Sequence, residues 1–196
     1  MKHLRQYIRR VLLAEAAKGV EDLDDHYTVE VYDDGLMVKF RLLRLPYRTE
    51  TGKIVIVPNA NHTGPCGGAW KVSSSEVRHG WGPFLYDVAM EYATLNGGGL
   101  IADRDSVSRE ARQVWQYYMQ NRGDVIAHQL DDPKNTLTPT DEDNCDQEVA
   151  GGFTYMYSRS EEPENKDWAK SPLSKRYTKA PTTINRLKEL GILVEI

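Results

Sequence analysis

The sequence predicts an α+β fold, and three observations carry that reading. Apolar and polar residues alternate in Tyr27-Thr28-Val29-Glu30-Val31-Tyr32 and nearly alternate from Leu36 to Leu42, the period of half-buried strands. Past Gly80-Trp81-Gly82-Pro83 the period lengthens, with Phe84, Leu85, Val88, Ala89 and Tyr92 recurring on one helical face. Glycine, proline and aspartate clusters separate the runs, so strands come first and helix, strand and helix then alternate.

The chain opens with Lys2 to Lys18, read as an amphipathic helix: Leu4, Ile8, Val11 and Leu12 form a stripe, Arg5, Arg9 and Arg10 lie mostly elsewhere, and Gly19 ends it. Packing within the protein or an assembly is expected for it, in preference to a membrane surface. Asp33-Asp34-Gly35 makes a hairpin of the first two strands. A third strand follows at Lys53 to Val57, stopped by Pro58, and a fourth from Cys66 to Val77. Pro83, pre-set for a first helical turn, starts a helix from about Gly82 to Leu95. Gly97-Gly98-Gly99 leads into a short buried strand, Leu100-Ile101-Ala102, and Ser108 caps the next helix with Glu110 favourable to its dipole. Val125-Ile126-Ala127 and Phe153-Thr154-Tyr155-Met156-Tyr157 are read as closing strands. Beyond Arg159 a charged, proline-punctuated tail ends in a helix, Ile184 to Leu190, closed by Gly191. The division expected is an N-terminal helix over 1–19, a main domain over 20–159 and a C-terminal extension over 160–196.

At 196 residues, 40% hydrophobic and 28% charged, the composition is that of a globular domain with one substantial core. A formal net charge of −4 gives no support for a protein that grips nucleic acid through a broad basic face. No run reaches the length of a membrane span, and the chain is expected to be cytosolic where it is made. Cys66 and Cys145 are far apart without paired spacing, so reduced thiols are expected.

The stretch Glu76-Val77-Arg78-His79-Gly80-Trp81-Gly82-Pro83 has the layout of an anion site. Its glycines let a ligand approach the backbone, and the N–H groups of a helix start attract phosphate. A dinucleotide fingerprint requires a third glycine where Leu85 stands, and no Gly-Lys-Ser/Thr string of a P-loop exists. His62 to Trp70 has a papain-like outline, but Ala69 occupies the nucleophile position. His62 and Cys66 lack the two further ligands a metal needs, so no metal site is predicted. Asp141-Glu142-Asp143-Asn144-Cys145-Asp146 resembles a calcium loop in charge only.

The glycine turn resembles motif A of the GNAT (Gcn5-related N-acetyltransferase) fold, Gln/Arg-x-x-Gly-x-Gly/Ala, with Gly80 and Gly82 at its last fixed positions and Val77 at its first. Ser108-Arg109-Glu110-Ala111-Arg112-Gln113-Val114-Trp115 looks like the helix pattern Asn-x-x-Ala-x-x-Leu-Tyr of the same family. Together with Asp103-Arg104-Asp105-Ser106-Val107-Ser108, these segments resemble a group of phage-encoded GNAT-like proteins over about residues 65 to 159.

The resemblance implies a mixed, mostly antiparallel sheet with helices on both faces. It also implies an acyl-coenzyme A cofactor bound by Val77, Arg78, His79, Gly80, Trp81 and Gly82, with the strand ending at Val77 aligning the pantetheine and the Gly80 to Gly82 amides holding the pyrophosphate. Where the family often has a tyrosine that protonates the departing thiolate, this chain has Trp115. Tyr118 or Tyr117 is the expected substitute acid, and Glu76, beside the turn, the expected base. Two functions follow as expectations: transfer of an acyl group to an amine, or a non-catalytic GNAT-fold component of a virion or its assembly, docking on virion proteins and forming oligomers through its termini.

Overall fold

The computed structural model describes residues 17–59, 65–78, 80–103, 107–131, 136–145 and 169–196. In chain order these form β1 (Tyr27–Asp33), β2 (Val38–Arg44), β3 (Thr49–Pro58), β4 (Trp70–Val77), helix α1 (Gly82–Leu95), β5 (Leu100–Ile101), α2 (Arg109–Asn121), β6 (Val125–Gln129), β7 (Lys175–Lys179), α3 (Thr182–Glu189) and β8 (Leu193–Glu195). The strands make one eight-stranded sheet in the order β6-β7-β5-β4-β3-β2-β1-β8. β4 with β5 and β1 with β8 run parallel, and the other neighbours are antiparallel, so the fold is α+β on a mixed, mostly antiparallel sheet.

The hairpin turn closes by its aspartates. Asp33 accepts from the Gly35 N–H and Asp34 from those of Leu36 and Met37, while Gly35 takes the left-handed conformation the turn requires. Inward residues of β1, β2 and β3, Val29, Val38, Phe40, Leu42, Ile54 and Ile56, are fully or almost fully buried. They meet α1, whose Phe84, Leu85, Val88, Ala89, Met90 and Ala93 are buried nearly all round. Each large apolar side chain so buried contributes about 1.5–3 kcal/mol, making α1 the centre of the core. α2 and α3 flank it on the same face of the sheet: Trp115 of α2 stacks on Tyr177 of β7 at 5.0 Å, and Ile184 and Leu187 of α3 join the same cluster. All three described helices thus share one face. The N-terminal helix expected as a further layer lies, through residue 16, outside the described residues.

The opposite face carries charge. Glu30, Arg41, Lys53 and Glu76 stand in register across β1 to β4, and Arg41 bonds both Glu30 and Glu50 while Lys53 reaches Glu76 at 3.3 Å. Glu30 with Arg41 and Lys53 with Glu76 are facing pairs of opposite sign, a favourable arrangement, while Arg41 faces Lys53 and Glu50 lies within 2.9 Å of the first and 4.0 Å of the second. Near β5 this face has a small apolar cluster of Cys66, Ala69, Ile101, Leu130 and Cys145.

Two expectations are corrected here. The strand beside β5 comes from Lys175–Lys179, inside the segment read as an extension, and β8 pairs with β1, so the tail belongs to the domain. Phe153 to Tyr157, expected to close the sheet, lies outside the described residues. Charge concealed β7: Lys175 and Lys179 occupy inward positions, where Lys175 bonds Gln129 and Ala169 and Lys179 bonds Glu91. Glu91 is itself fully buried and accepts from the N–H groups of Thr183 and Ile184, capping α3. Secondly, Cys66 and Cys145 form a disulfide across 79 residues instead of remaining thiols. Folding brings the 65–68 turn under the 141–145 loop, where Cys66 N–H donates to the Asn144 carbonyl at 2.7 Å and Gly67 N–H to that of Glu142 at 2.6 Å.

Removing Glu91 leaves a buried ammonium with only the half-exposed Asp124 carboxylate at 3.7 Å to balance it, so Glu91→Ala is expected to cost about 3 kcal/mol in urea unfolding. Cys145→Ser, which releases a long loop, is expected to cost about 4 kcal/mol by the same measurement.

Candidate functional site

β4 and β5 begin side by side and then part. Trp70 faces Leu100 and Lys71 faces Ile101, but β5 ends there while β4 continues to Val77. β4 also bulges: Val55 pairs with Ser74 and Ile56 with Val72, which leaves Ser73 as the extra residue. A bulge sharpens the local twist and re-aims neighbouring side chains. The result is a cleft of about 260 Å³, with Ser73, Ser74 and Ser75 on one wall, Asp103 and Trp115 on the other, and Tyr86 of α1 beneath.

The glycine turn lies at the far end of β4. Arg78 N–H donates to Thr51 O at 3.1 Å, the Arg78 carbonyl accepts from Trp81 N–H at 3.3 Å, and Gly80 turns the chain with φ of 83°. A side chain at Gly80 would strain that left-handed conformation. α1 then starts with Pro83 in its first turn and no side-chain cap. A β-carbon built on Gly82 would meet no atom of the described residues within 4 Å, so among these residues the start of α1 is uncovered. Trp81 is buried between Tyr27 and Phe84, with ring centroids 5.1 and 5.6 Å away, and the Lys18 ammonium lies over it at 4.8 Å. Lys18 N–H donates to Gly80 O at 3.0 Å, which adds a cation beside the turn. Arg78 is exposed, a second cation at this end. His79, the remaining residue of the predicted phosphate clamp, lies outside the described residues, as do Arg104 and Asp105.

The expected acid and base are not in the cleft. Glu76 projects from the charged face and pairs with Lys53, because strand alternation sends it away from the helices. Tyr118 is in the core, its hydroxyl donating to Pro83 O at 2.6 Å and bonded to Asp87 Oδ1 at 2.7 Å. Burial, reinforced by the Asp87 carboxylate, pushes its pKa well above the ordinary tyrosine value. Asp87 is held in turn by Arg122 at 2.9 Å, so this network ties α1 to α2. Tyr117 packs edge-on against Tyr118 and does not line the cleft. Trp115 does line it, at the position where the family resemblance expects a phenol.

Among the described residues the phenol that lines the cleft is Tyr86, to which helical spacing alone gives no role. Its hydroxyl lies 3.2 Å from Ser75 Oγ, its ring meets Trp115 edge to face at 5.3 Å, and burial raises its pKa. Asp103 supplies a carboxylate in the same cleft, with Lys71 Nζ 3.9 Å from it. The cue in the sequence was the run Ser73-Ser74-Ser75, three small polar side chains in succession within a strand-like segment.

Tyr118→Phe removes a hydroxyl bonded to two buried acceptors and is expected to lower stability by about 1–3 kcal/mol in denaturant unfolding, with the cleft unchanged. Comparison of the chain with protein-family models, with curated proteins and with solved structures finds no match.

Proposed function

We propose that this cleft binds an acyl-coenzyme A and that the protein is a GNAT-like N-acyltransferase acting on an amine. The parting of β4 from β5 next to an open, glycine-lined helix start is the observation that carries this reading. An extended amide-bearing arm suits the unpaired edge of β4, where backbone groups can bond it as a further strand would. A pyrophosphate suits the start of α1, where backbone N–H groups and the helix dipole meet the cations of Lys18 and Arg78. The order of four strands, helix, strand, helix and two closing strands also agrees with what the resemblance of the glycine turn and of Ser108 to Trp115 implies.

Chemically, the cleft would hold the thioester carbonyl for direct attack by a neutral amine, and orientation would supply much of the acceleration. Asp103, at the fork, replaces Glu76 as the carboxylate suited to taking a proton from the amine directly or through water. Hydroxyls from the serine run offer hydrogen bonds to the oxyanion that develops.

A second reading has its own support. Disulfides persist on secreted proteins and virion surfaces and are rare in the cytosol, so Cys66–Cys145 favours a non-catalytic GNAT-fold component of a virion or its assembly, as does the indole of Trp115 in place of a phenol. No described helix is long and apolar enough to cross a membrane.

Coenzyme A binding separates the readings. A ligand at about 100 times its Kd adds about 2.7 kcal/mol to stability, so coenzyme A is expected to raise the Tm by several degrees, with a matching isotherm in calorimetry. Gly82→Asp, which puts a carboxylate where phosphate would sit while leaving a helix start that tolerates acid, is expected to weaken that binding at least about tenfold. Wild-type protein showing neither shift nor heat would remove the acyltransferase reading.

A further inference from the structure

We infer that the cavity between the last turn of α1, α3 and the β1–β8 edge of the sheet binds a small organic cation with an apolar body, of the alkylammonium or arylalkylammonium class. This cavity holds about 410 Å³ and shares no lining residue with the cleft beside β4, so the inference is independent of the acyl-transfer reading. Its volume falls in the range of small-molecule sites, about 300–1,000 Å³.

The floor of the cavity is apolar. Phe40 and Val88 are fully buried there, Val31 and Ile184 are nearly so, and Leu193 is partly buried. At the rim Leu95 and Ile196 remain 58% and 59% exposed, so apolar surface continues from the floor out to solvent. An apolar ligand body seated on that floor takes this surface out of water.

The polar groups choose the sign of the ligand. Asp33 is held in place by the Gly35 N–H and the Tyr92 hydroxyl, which donate one to each carboxylate oxygen, and it pairs with no cation among the described residues. Each of those oxygens keeps a further lone pair for a ligand N–H. Glu195 lies 4.0 Å from Lys188 Nζ, but both side chains are more than half exposed, so the pair is weak and leaves the carboxylate open to a second partner. Two carboxylates against one ammonium give the lining a net negative charge. Burial, then the Asp33 and Glu195 carboxylates, push the Tyr92 pKa up to about 12, so the phenol stays neutral and keeps donating to Asp33. The end of α1 at Leu95 and Asn96 adds the negative pole of the helix dipole. The rings of Phe40 and Tyr92, 5.4 Å apart and edge to face, complete a wall that attracts an ammonium. An anion would meet Lys188 alone and be repelled by both acids.

Calorimetry on the full chain with phenethylammonium is expected to give a Kd of about 0.1–1 mM, the strength open to a ligand of this size. Phenethyl alcohol and phenylpropanoate, which keep the apolar body, and methylammonium, which keeps only the charge, are each expected to bind at least about tenfold more weakly. Methyl resonances of Val88 and Ile184 are expected to shift during the titration, which places the ligand. Asp33→Asn retains an oxygen for the Gly35 N–H and is expected to raise the Kd about tenfold. Leu95→Lys, at an exposed position where a helix end favours a cation, is expected to raise it as much without lowering the unfolding midpoint. Equal binding of the amine and the alcohol, or an Asp33→Asn variant that binds as wild type does, overturns the cation assignment. No heat with phenethylammonium up to about 10 mM, or methyl shifts confined to other residues, overturns the site. Self-association of wild type that Leu95→Lys abolishes, with no heat from phenethylammonium, assigns this face to a second copy of the chain and overturns the proposal as well.

Discussion

The short parallel contact of β4 with β5 is the constraint on which the rest of the molecule depends. It lasts for two residues, Trp70 to Leu100 and Lys71 to Ile101, because β5 ends there and is held on its other side by β7. Glycines make such close approach feasible. A β-carbon on Gly98 would fall 1.6 Å from the Gly67 carbonyl oxygen, and one on Gly99, at φ of 116°, would fall 2.5 Å from that of Tyr177. Gly98 N–H instead donates to Gly68 O at 2.9 Å, and Trp70 N–H to Gly99 O at 2.8 Å, so the root of the fork is stitched by backbone. With the root closed and β5 exhausted, no described strand pairs with the rest of that edge of β4.

Buried polar groups then hold the helices in place around that opening. Glu91 and Lys179 neutralise one another inside the core, and the carboxylate also receives the first N–H groups of α3, so one side chain of α1 organises β7 and α3 together. Asp87, Tyr118 and Arg122 do the same between α1 and α2. Burial pushes the Asp87 carboxyl up in pKa while Arg122 pulls it back, and Arg122 holds Asp124 down at about 2. Such networks are costly to leave half-satisfied, which makes them effective at specifying a single arrangement. The disulfide performs a similar service on the opposite face, clasping the 65–68 turn to the 141–145 loop.

What was readable in the chain was local. Pro83 marked the start of α1, Ser108 Oγ does accept from Ala111 N–H at 3.1 Å, and Asp33-Asp34-Gly35 builds the hairpin from its own side chains. Long-range pairing was not readable. Lys175-Arg176-Tyr177-Thr178-Lys179 has the period of a strand, yet its inward positions are lysines whose partners lie 46 and 88 residues away, so it passed for a solvated tail. The tyrosines misled for the same reason. Helical spacing tells which residues share a face of α2, but not that the face of Tyr118 turns toward Pro83 and Asp87 while a phenol from another helix reaches Ser75.

Residue order alone therefore settled the α+β class, the glycine turn, both limits of α1 and the start of α2, since each rests on backbone preferences within a few neighbours. Three-dimensional packing assigned β7 to the sheet, joined Cys66 to Cys145, turned Glu76 away from the cleft and Tyr86 into it. Those outcomes depend on which distant segments meet and on which polar groups can be satisfied once water is excluded, and no pattern along a single chain encodes either quantity directly.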